Sequence, residues 1–272
     1  MIRSDKVRAL FAAPYLSWAV IFIVVPLLMV FWYGFTDGAG RLSLANIAII
    51  TRPEYLKSLG LSMALSLVST LLCLLIAYPL CLILTEKKTG RAAVIVLLFI
   101  LPMWMNTLLR TMAWQTILEK TGILNTILRF LHLPSIYIIN KPQAIVIGMV
   151  YNFLPYMVLP LYNALAKIDD SVIHAAHDLG ADRRQTFLRV VLPLSVPGIV
   201  SGVTMVFIPA LTTFVISQML GGNKILLIGN IIEQEFTQAY DWNLGSGLSI
   251  ILMIFIILNM VIEAALDRAP EK

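Results

Sequence analysis

The segment from Ile173 to Pro193 holds residues whose types and spacing suggest chemistry. His174 and His177 stand three positions apart, a spacing that places two side chains on one face of a helix. A zinc-type site needs further ligands, and no cysteine or third histidine lies near the pair in the sequence. The sequence therefore predicts no metal site here, and the segment must be interpreted through its shape.

The same segment has the pattern of a short helix on which a partner protein docks. Asp170 or Ser171 can cap the start of such a helix, and Gly180 can supply a left-handed end. Small and apolar residues recur between these caps, and a face of this kind fits a groove on another protein. They are Ile173, Ala175, Ala176 and Leu179. The alternative is an ordinary amphipathic helix at a membrane surface.

A second group of side chains has the chemistry to accept an organic cation. Carboxylates attract such a cation, and aromatic faces receive its partly dehydrated ammonium groups. The candidates are Glu233, Glu235 and Asp241 among the acids, and Trp104, Trp114, Tyr151, Tyr156 and Trp242 among the aromatic residues. The alternative is a solvated loop position for each acid, and a place in the interfacial belt of a membrane protein for each aromatic residue.

Long apolar runs must position these residues. Apolar residues make up 59% of the 272 residues and charged residues only 13%, well below the roughly 25% of a soluble domain. Each run reaches the roughly 18–20 residues that cross a bilayer as a helix, and none alternates with period two. The sequence therefore predicts an all-α membrane protein in which residues 1–272 form one domain with six transmembrane helices. The approximate spans are 12–35, 59–85, 92–115, 143–166, 194–220 and 245–266.

Basic residues give the expected orientation of these spans. Arg3, Lys6 and Arg8 precede the first span, and further arginines lie in the loop 167–193. Positive charges collect on the cytosolic side of membrane proteins, so both termini and this loop are predicted to be cytosolic. The net charge of +5 follows from this bias and requires no nucleic-acid partner.

Residues for energy conversion are missing from the sequence. No G-x-x-x-x-G-K-[ST] phosphate loop is present, so the chain does not hydrolyse ATP in the P-loop manner. The central parts of the spans carry no carboxylates of the kind that ion-coupled carriers use, and Arg110, late in the third span, is predicted to snorkel outwards. The chain is thus predicted to be a transport subunit and not an enzyme. A motor-independent channel or carrier, and a membrane enzyme or assembly factor, are the alternatives.

The docking segment resembles the EAA signature of type I ABC importer permeases. The spacing of two alanines, a glycine and a Leu-Pro pair matches, and the segment lies in the loop where the family carries it. The residues that match or flank the signature are His174, Ala175, Ala176, Asp178, Leu179, Gly180, Leu192 and Pro193. His174 stands where the family usually has glutamate. The resemblance implies that this loop couples the chain to an ABC ATPase.

The resemblance also implies a complete assembly in the bacterial inner membrane. Two ABC ATPase subunits bind ATP and magnesium, while this chain binds no cofactor. A second, homologous permease chain pairs with it, and an extracytoplasmic solute-binding protein delivers the substrate. Spans two to six form the core and the first span packs against the partner, and transport proceeds by alternating access.

Three segments are similar, more narrowly, to the spermidine/putrescine-importing branch of this family. They are residues 101–110, 154–162 and 226–230, the last with Asp241 and Trp242 downstream. This similarity implies a translocation path for polyamines. Permeases for iron(III), sulfate or phosphonate share much of the scaffold and are the alternatives.

Overall fold

The computed structural model describes residues 13–86, 91–222 and 224–267, so Arg3, Lys6 and Arg8 lie outside the described residues. Regular structure in these ranges is helical apart from one isolated bridge between Thr36 and Leu42, which confirms the all-α class. The helices are α1 (Ala13–Gly34), α2 (Ala45–Ala48), α3 (Pro53–Glu86), α4 (Arg91–Ile100), α5 (Thr107–Leu118), α6 (Ile123–Phe130), α7 (Pro142–Leu165), α8 (Asp170–Asp178), α9 (Arg183–Thr212), α10 (Val215–Gly221), α11 (Ile228–Gln234) and α12 (Trp242–Asp267).

Five of these described helices, α1, α3, α7, α9 and α12, are long and apolar enough to cross a membrane. Each overlaps one of the predicted spans. Their length matters because lipid offers no partner for backbone N–H and C=O groups, which a helix satisfies internally.

The predicted third span, 92–115, is broken into α4 and α5. A 3-10 turn at Leu101–Trp104 ends the first half, and the segments Val94–Trp104 and Thr107–Phe130 are bent by 95° relative to each other. Pro102 lies in this turn and has no N–H to continue a helix. Asn106 then starts α5, because its side-chain oxygen accepts a hydrogen bond from the Leu108 N–H at 2.8 Å. The described residues therefore hold five candidate spans, or six when this bent pair counts as one.

Two spanning helices widen into a π-helical turn just before a proline. The turn Val20–Val24 precedes Pro26 in α1, and the turn Phe187–Val191 precedes Pro193 in α9. In a regular helix a proline ring clashes with the carbonyl group four residues earlier, and in both helices that carbonyl belongs to the π turn. The wider turn relieves the clash, so α9 continues through it. Contrary to the predicted loop 167–193, the fifth spanning helix thus begins inside that segment.

The described residues divide into two compact units. The first comprises those of 1–56 and 231–255, and the second those of 57–230 and 256–272. In the second unit α7 packs along α9, and a buried core joins α3, α7 and α9. Its members are Cys73, Ala77, Cys81, Met157, Val158, Leu161, Leu165 and Val206.

Close packing of α9 on α7 depends on Gly198. A Cβ atom at this position would meet the Cβ of Ala164 and lie 3.0 Å from the carbonyl oxygen of Pro160. Small residues of this kind let membrane helices approach closely. We therefore expect Gly198→Ala to destabilise the protein by about 1–3 kcal/mol, measured as a lower thermal unfolding midpoint in detergent.

The matched control for this prediction is Gly60→Ala in α3. A Cβ atom there meets nothing within 4 Å, so the same change leaves packing intact and favours the helix slightly. Equal unfolding midpoints for the two variants would contradict the role of Gly198.

In the first unit the start of α12 is tied to the end of α1. The side-chain amide of Asn243 donates hydrogen bonds to the carbonyl oxygens of Tyr33, at 3.0 Å, and Thr36, at 2.7 Å. Gly34 allows the approach, because a Cβ atom there would meet Ile250. These contacts hold the first turns of α12 against the end of α1. The apolar window of α1, by contrast, is 0% buried inside the chain, so this helix offers its surface to lipid or to another chain.

Candidate functional site

The predicted docking helix α8 is capped at both ends. Asp169 accepts a hydrogen bond from the Ser171 N–H at 2.9 Å, so the cap is Asp169 and the predicted caps Asp170 and Ser171 are wrong. Gly180 has a φ of +85°, and its N–H donates to the carbonyl of His177 at 2.9 Å. The N–H of Ala181 donates to the carbonyl at position 176, at 3.0 Å. These two bonds form the Schellman end that a left-handed glycine permits, and the left-handed end predicted at Gly180 is present.

One face of α8 is free. Ile173 and Ala176 are half-buried, and α8 packs against the π turn of α9. The opposite face is exposed, and Leu179 at its end is 89% exposed. The exposed residues of the predicted docking set are His174, Ala175, Asp178, Leu179 and Gly180. Periodicity indicated a docking face of Ile173, Ala176 and Leu179, and of these three only Leu179 is exposed to a partner.

A second capped helix begins directly after α8. Asp182 accepts a hydrogen bond from the Gln185 N–H at 2.7 Å, and the Gln185 side chain accepts one from the Asp182 N–H at 3.1 Å. This capping box fixes the start of α9. Leu192 and Pro193, predicted to lead from a loop into the bilayer, lie inside α9 instead. The segment 167–193 therefore contains α8 and the first turns of α9, joined by the short connection 179–182.

Asp241 and Trp242 form the start of α12 in the first unit. Asp241 accepts a hydrogen bond from the Leu244 N–H at 2.9 Å, so this carboxylate caps the helix. The Trp242 ring lies 5.5 Å from the ring of Phe236 and 6.1 Å from that of Tyr33, between centroids, and is 47% exposed. Sequence reasoning singled out neither Phe236 nor Tyr33. The structure therefore places an aromatic group beside a helix-capping acid.

The two other predicted acids lie just before this helix. Glu235 opens the π turn Glu235–Ala239 and is half-buried. Burial chiefly, and the charge of Asp241 in addition, raise the pKa of the Glu235 carboxyl. One oxygen of Glu233 accepts a hydrogen bond from Thr237 at 2.9 Å, and the other is buried with no hydrogen-bond partner among the described residues. We call Glu235, Asp241, Trp242, Phe236 and Tyr33 the acid–aromatic cluster.

The four remaining predicted aromatic residues lie in the second unit. Trp114 packs edge-on against Tyr151, with 5.3 Å between ring centroids. Tyr156 lies 6.3 Å from the ring of Phe153. Trp104 ends the 3-10 turn at the break in the third span and is 82% exposed. The structure thus brings Trp114 and Tyr151 together, in a different unit from the acid–aromatic cluster.

Arg110 is buried in α5 and does not snorkel as predicted. It is 7% exposed, and its Nη2 donates to the Thr107 hydroxyl at 3.1 Å. Its Nε and Nη1 have no hydrogen-bond partner among the described residues. The side chain folds back towards the start of its own helix, because its hydroxyl partner lies one turn earlier on α5.

Apolar spanning helices and an exposed, doubly capped helix between two spans are the features of the membrane subunit of a transporter. The chain belongs to the family of binding-protein-dependent transport system inner membrane components, which matches residues 7–271. It is therefore a permease subunit of an ABC importer in the inner membrane, and not an enzyme.

Named relatives align with at least nine-tenths of this chain. It is 36% identical over 282 residues to the spermidine/putrescine transport system permease protein PotB of Haemophilus influenzae, across 99% of each chain. PotB of Escherichia coli is 36% identical over 264 residues, which cover 94% of this chain and 96% of the relative. The inner membrane ABC transporter permease protein YdcU of Escherichia coli is 28% identical, over 90% of this chain and 85% of that protein.

Solved structures show the same fold. A chain of a bacterial alginate ABC transporter, in complex with a periplasmic protein bound to an alginate pentasaccharide, aligns with a TM-score of 0.81 at 16% identity. The alignment covers 97% of this chain and 94% of that one. A chain of the methionine ABC transporter MetNI aligns with a TM-score of 0.57 at 19% identity, over 80% of this chain and 96% of that one. The fold is that of type I ABC importer permeases.

Proposed function

We propose that this chain forms the translocation path of an ATP-driven importer for polyamines such as spermidine and putrescine. The observation that supports polyamines as the substrate is the 36% identity to a spermidine/putrescine permease across 99% of both chains. The aligned region covers the spans and the segments between them, and a path for one class of solute is built from many such positions.

The acid–aromatic cluster supports a cationic substrate. Glu235 is partly dehydrated, and a carboxylate in that setting attracts an ammonium group more strongly than a solvated one. The exposed face of Trp242 offers a second contact, since indole rings attract cations at close range. Glu233 is proposed to act with this cluster. For the second unit, the proposed substrate contacts are Trp104, Trp114, Tyr151 and Tyr156.

The proposed contact with the ABC ATPase is the exposed face of α8. Five of the residues on this face belong to the EAA-like set, and the left-handed turn at Gly180 fixes how the helix end is presented. His174 supplies no carboxylate, but Asp178 lies four positions further along the same exposed face and does. Leu192 and Pro193 lie inside α9 and contribute to this contact indirectly. They follow the π turn, against which α8 packs. ATP and magnesium bind to the ATPase, and this chain binds no cofactor.

The proposed assembly contains two ATPase subunits, a second homologous permease chain and an extracytoplasmic solute-binding protein. Residues 1–272 act as one permease domain, with both termini and α8 on the cytosolic side. Five or six spans enclose a path poorly, and the apolar surface of α1 is free to meet a second chain.

Reconstitution tests this proposal. The assembled transporter is placed in liposomes with ATP on the ATPase side and spermidine with the binding protein on the other. We expect accumulation of spermidine that requires ATP and survives dissipation of the proton gradient, while sulfate and iron(III) are not accumulated. Accumulation of one of these solutes in place of spermidine would overturn the assignment of polyamines as the substrate. Spermidine passage through the purified chain without ATPase would overturn the motor-driven mechanism.

A further inference from the structure

Tyr78 of α3 contacts α9 at the first residue of its π turn and again beyond the end of that turn. The Tyr78 ring meets the Phe187 ring edge-on, with 5.9 Å between centroids and 84° between planes. The Tyr78 hydroxyl lies 2.8 Å from the hydroxyl of Ser195. Phe187 is the first residue of the π turn, and Ser195 lies one helical turn beyond its end. One side chain therefore bridges the whole turn.

The direction of the hydroxyl contact follows from the number of hydrogens. Ser195 is fully buried and donates to the carbonyl oxygen of Leu192 at 2.9 Å. A serine hydroxyl has a single hydrogen, so Tyr78 must be the donor in the contact with Ser195. The chain of bonds thus runs from Tyr78 through Ser195 to the backbone of α9. Removal of the Tyr78 hydroxyl therefore breaks the connection between α3 and the backbone of α9. Ser195 cannot restore it, because its only hydrogen is already donated to Leu192.

The π turn that Tyr78 bridges interrupts the regular hydrogen bonding of α9. A π turn has one more residue than a regular turn, and such turns occur often at functional sites. Pro193, two positions beyond the end of the turn, contributes no backbone N–H. Pro79 does the same in α3 beside Tyr78. Both helices therefore lack a backbone hydrogen bond at the level where the tyrosine joins them. At this level the hydroxyl contact adds a hydrogen bond between the two helices, of the kind that polar side chains form between membrane helices.

The docking helix acts directly on this turn. α8 packs against the π turn, and a short capped segment joins its end to the start of α9. A displacement of α8 therefore arrives first at Phe187–Val191. From there a rigid link to α3 carries the displacement into the buried core, where Cys73, Ala77 and Cys81 pack on α7.

We propose that Tyr78 is a positioning residue that locks the π turn of α9 to α3, so that a movement imposed on α8 moves both spanning helices together. This inference rests on the proposed function of α8 as the ATPase-docking helix. Tyr78 touches neither substrate nor ATPase in this mechanism and acts through Phe187 and Ser195.

Tyr78→Phe separates the two halves of the bridge. It keeps the ring contact with Phe187 and removes only the hydroxyl. We expect about a fivefold rise in ATP hydrolysed per solute molecule imported, which corresponds to the loss of one hydrogen bond. Ser195→Ala should give the same rise, and the double variant no further rise, because both changes break the same link.

Thr70→Val in α3 is the matched control for hydroxyl loss. The Thr70 hydroxyl donates at 2.7 Å to the carbonyl of Ser66 within the same helix and forms no bridge to α9. A purely structural role for Tyr78 would lower the unfolding midpoint of both variants alike and leave the coupling ratio unchanged. An unchanged ratio in Tyr78→Phe would overturn the inference while leaving the importer standing.

A distance measurement tests the link independently of the substrate. Spin labels on Leu75→Cys in α3 and Leu188→Cys in the π turn report the separation of the two helices, since both positions are exposed and native Cys73 and Cys81 are buried. We expect ATP to leave this distance unchanged in the otherwise native assembled transporter and to shift or broaden it in Tyr78→Phe. An equal ATP-dependent change in both proteins would overturn the inference. The expected pattern supports it even if spermidine proves not to be the solute.

Discussion

Gly180→Val is expected to uncouple ATP hydrolysis from import, with about a tenfold loss of solute moved per ATP. Gly180 has a φ of +85°, and a side chain in this left-handed region costs roughly 1–2 kcal/mol, with β-branched residues tolerated least. A Cβ atom here meets nothing within 4 Å inside the chain. The loss therefore arises from the backbone turn that ends α8 and from its fit to the partner, and not from disturbed packing of the core.

Two further variants make this prediction specific. Gly180→Asn should retain most coupling, because asparagine is among the residues that visit the left-handed region. Gly38→Val places the same side chain in open space at a glycine without a positive φ and should leave coupling unchanged. Import and ATP hydrolysis are measured together in proteoliposomes. Full coupled transport by Gly180→Val would remove α8 from the docking role.

Much of the fold follows from the apolar runs, because a bilayer demands long apolar helices and tolerates little else. The break in the third span does not follow from them, because Leu101–Trp104 is itself part of an apolar run. Pro102 is the residue in it that indicates a break. Arg110 shows a second limit. Its predicted snorkelling assumed that the side chain faces lipid, whereas α5 turns it inwards beside Thr107.

Some site residues can be predicted from their neighbours in the sequence, whereas others depend on contacts between distant parts of the chain. Gly180 is readable from the sequence because a helix end requires a residue that accepts left-handed backbone geometry. Tyr78 and Ser195 are not, because 117 positions separate them and only the packing of α3 on α9 brings them together. The aromatic surroundings of Trp242 depend likewise on the end of α1, where Tyr33 lies.

The second large effect is expected at Glu235. We expect Glu235→Gln to lower spermidine uptake at neutral pH by about tenfold, because a hydrogen bond to a charged group contributes roughly 1.5–3 kcal/mol. Glu54→Gln is the control, since Glu54 is an exposed acid of the same unit. Uptake at subsaturating spermidine is the measurement, with assembly of the complex checked by co-purification. Equal uptake by the two variants would remove Glu235 from the path.

Asp241 requires a different substitution, because its carboxylate also caps α12 through the Leu244 N–H. Asp241→Asn keeps a good capping residue and removes the charge, whereas Asp241→Ala removes both. We expect Asp241→Asn to lower uptake less than Glu235→Gln does. Asp241→Ala should in addition lower the unfolding midpoint, by the roughly 1 kcal/mol that a helix cap contributes.

The pH dependence of uptake separates charge from shape at Glu235. Burial first, and the Asp241 charge second, raise the pKa of Glu235, so its carboxylate accepts a proton at higher pH than an ordinary glutamate. Polyamine ammonium groups stay charged over this range. Uptake should therefore fall on acidification through that raised pKa, and Asp241→Asn should move the fall to lower pH because it removes one of the two causes. Glu235→Gln should show no such fall. An acid-dependent fall that is identical in native protein and Glu235→Gln would assign it to another group.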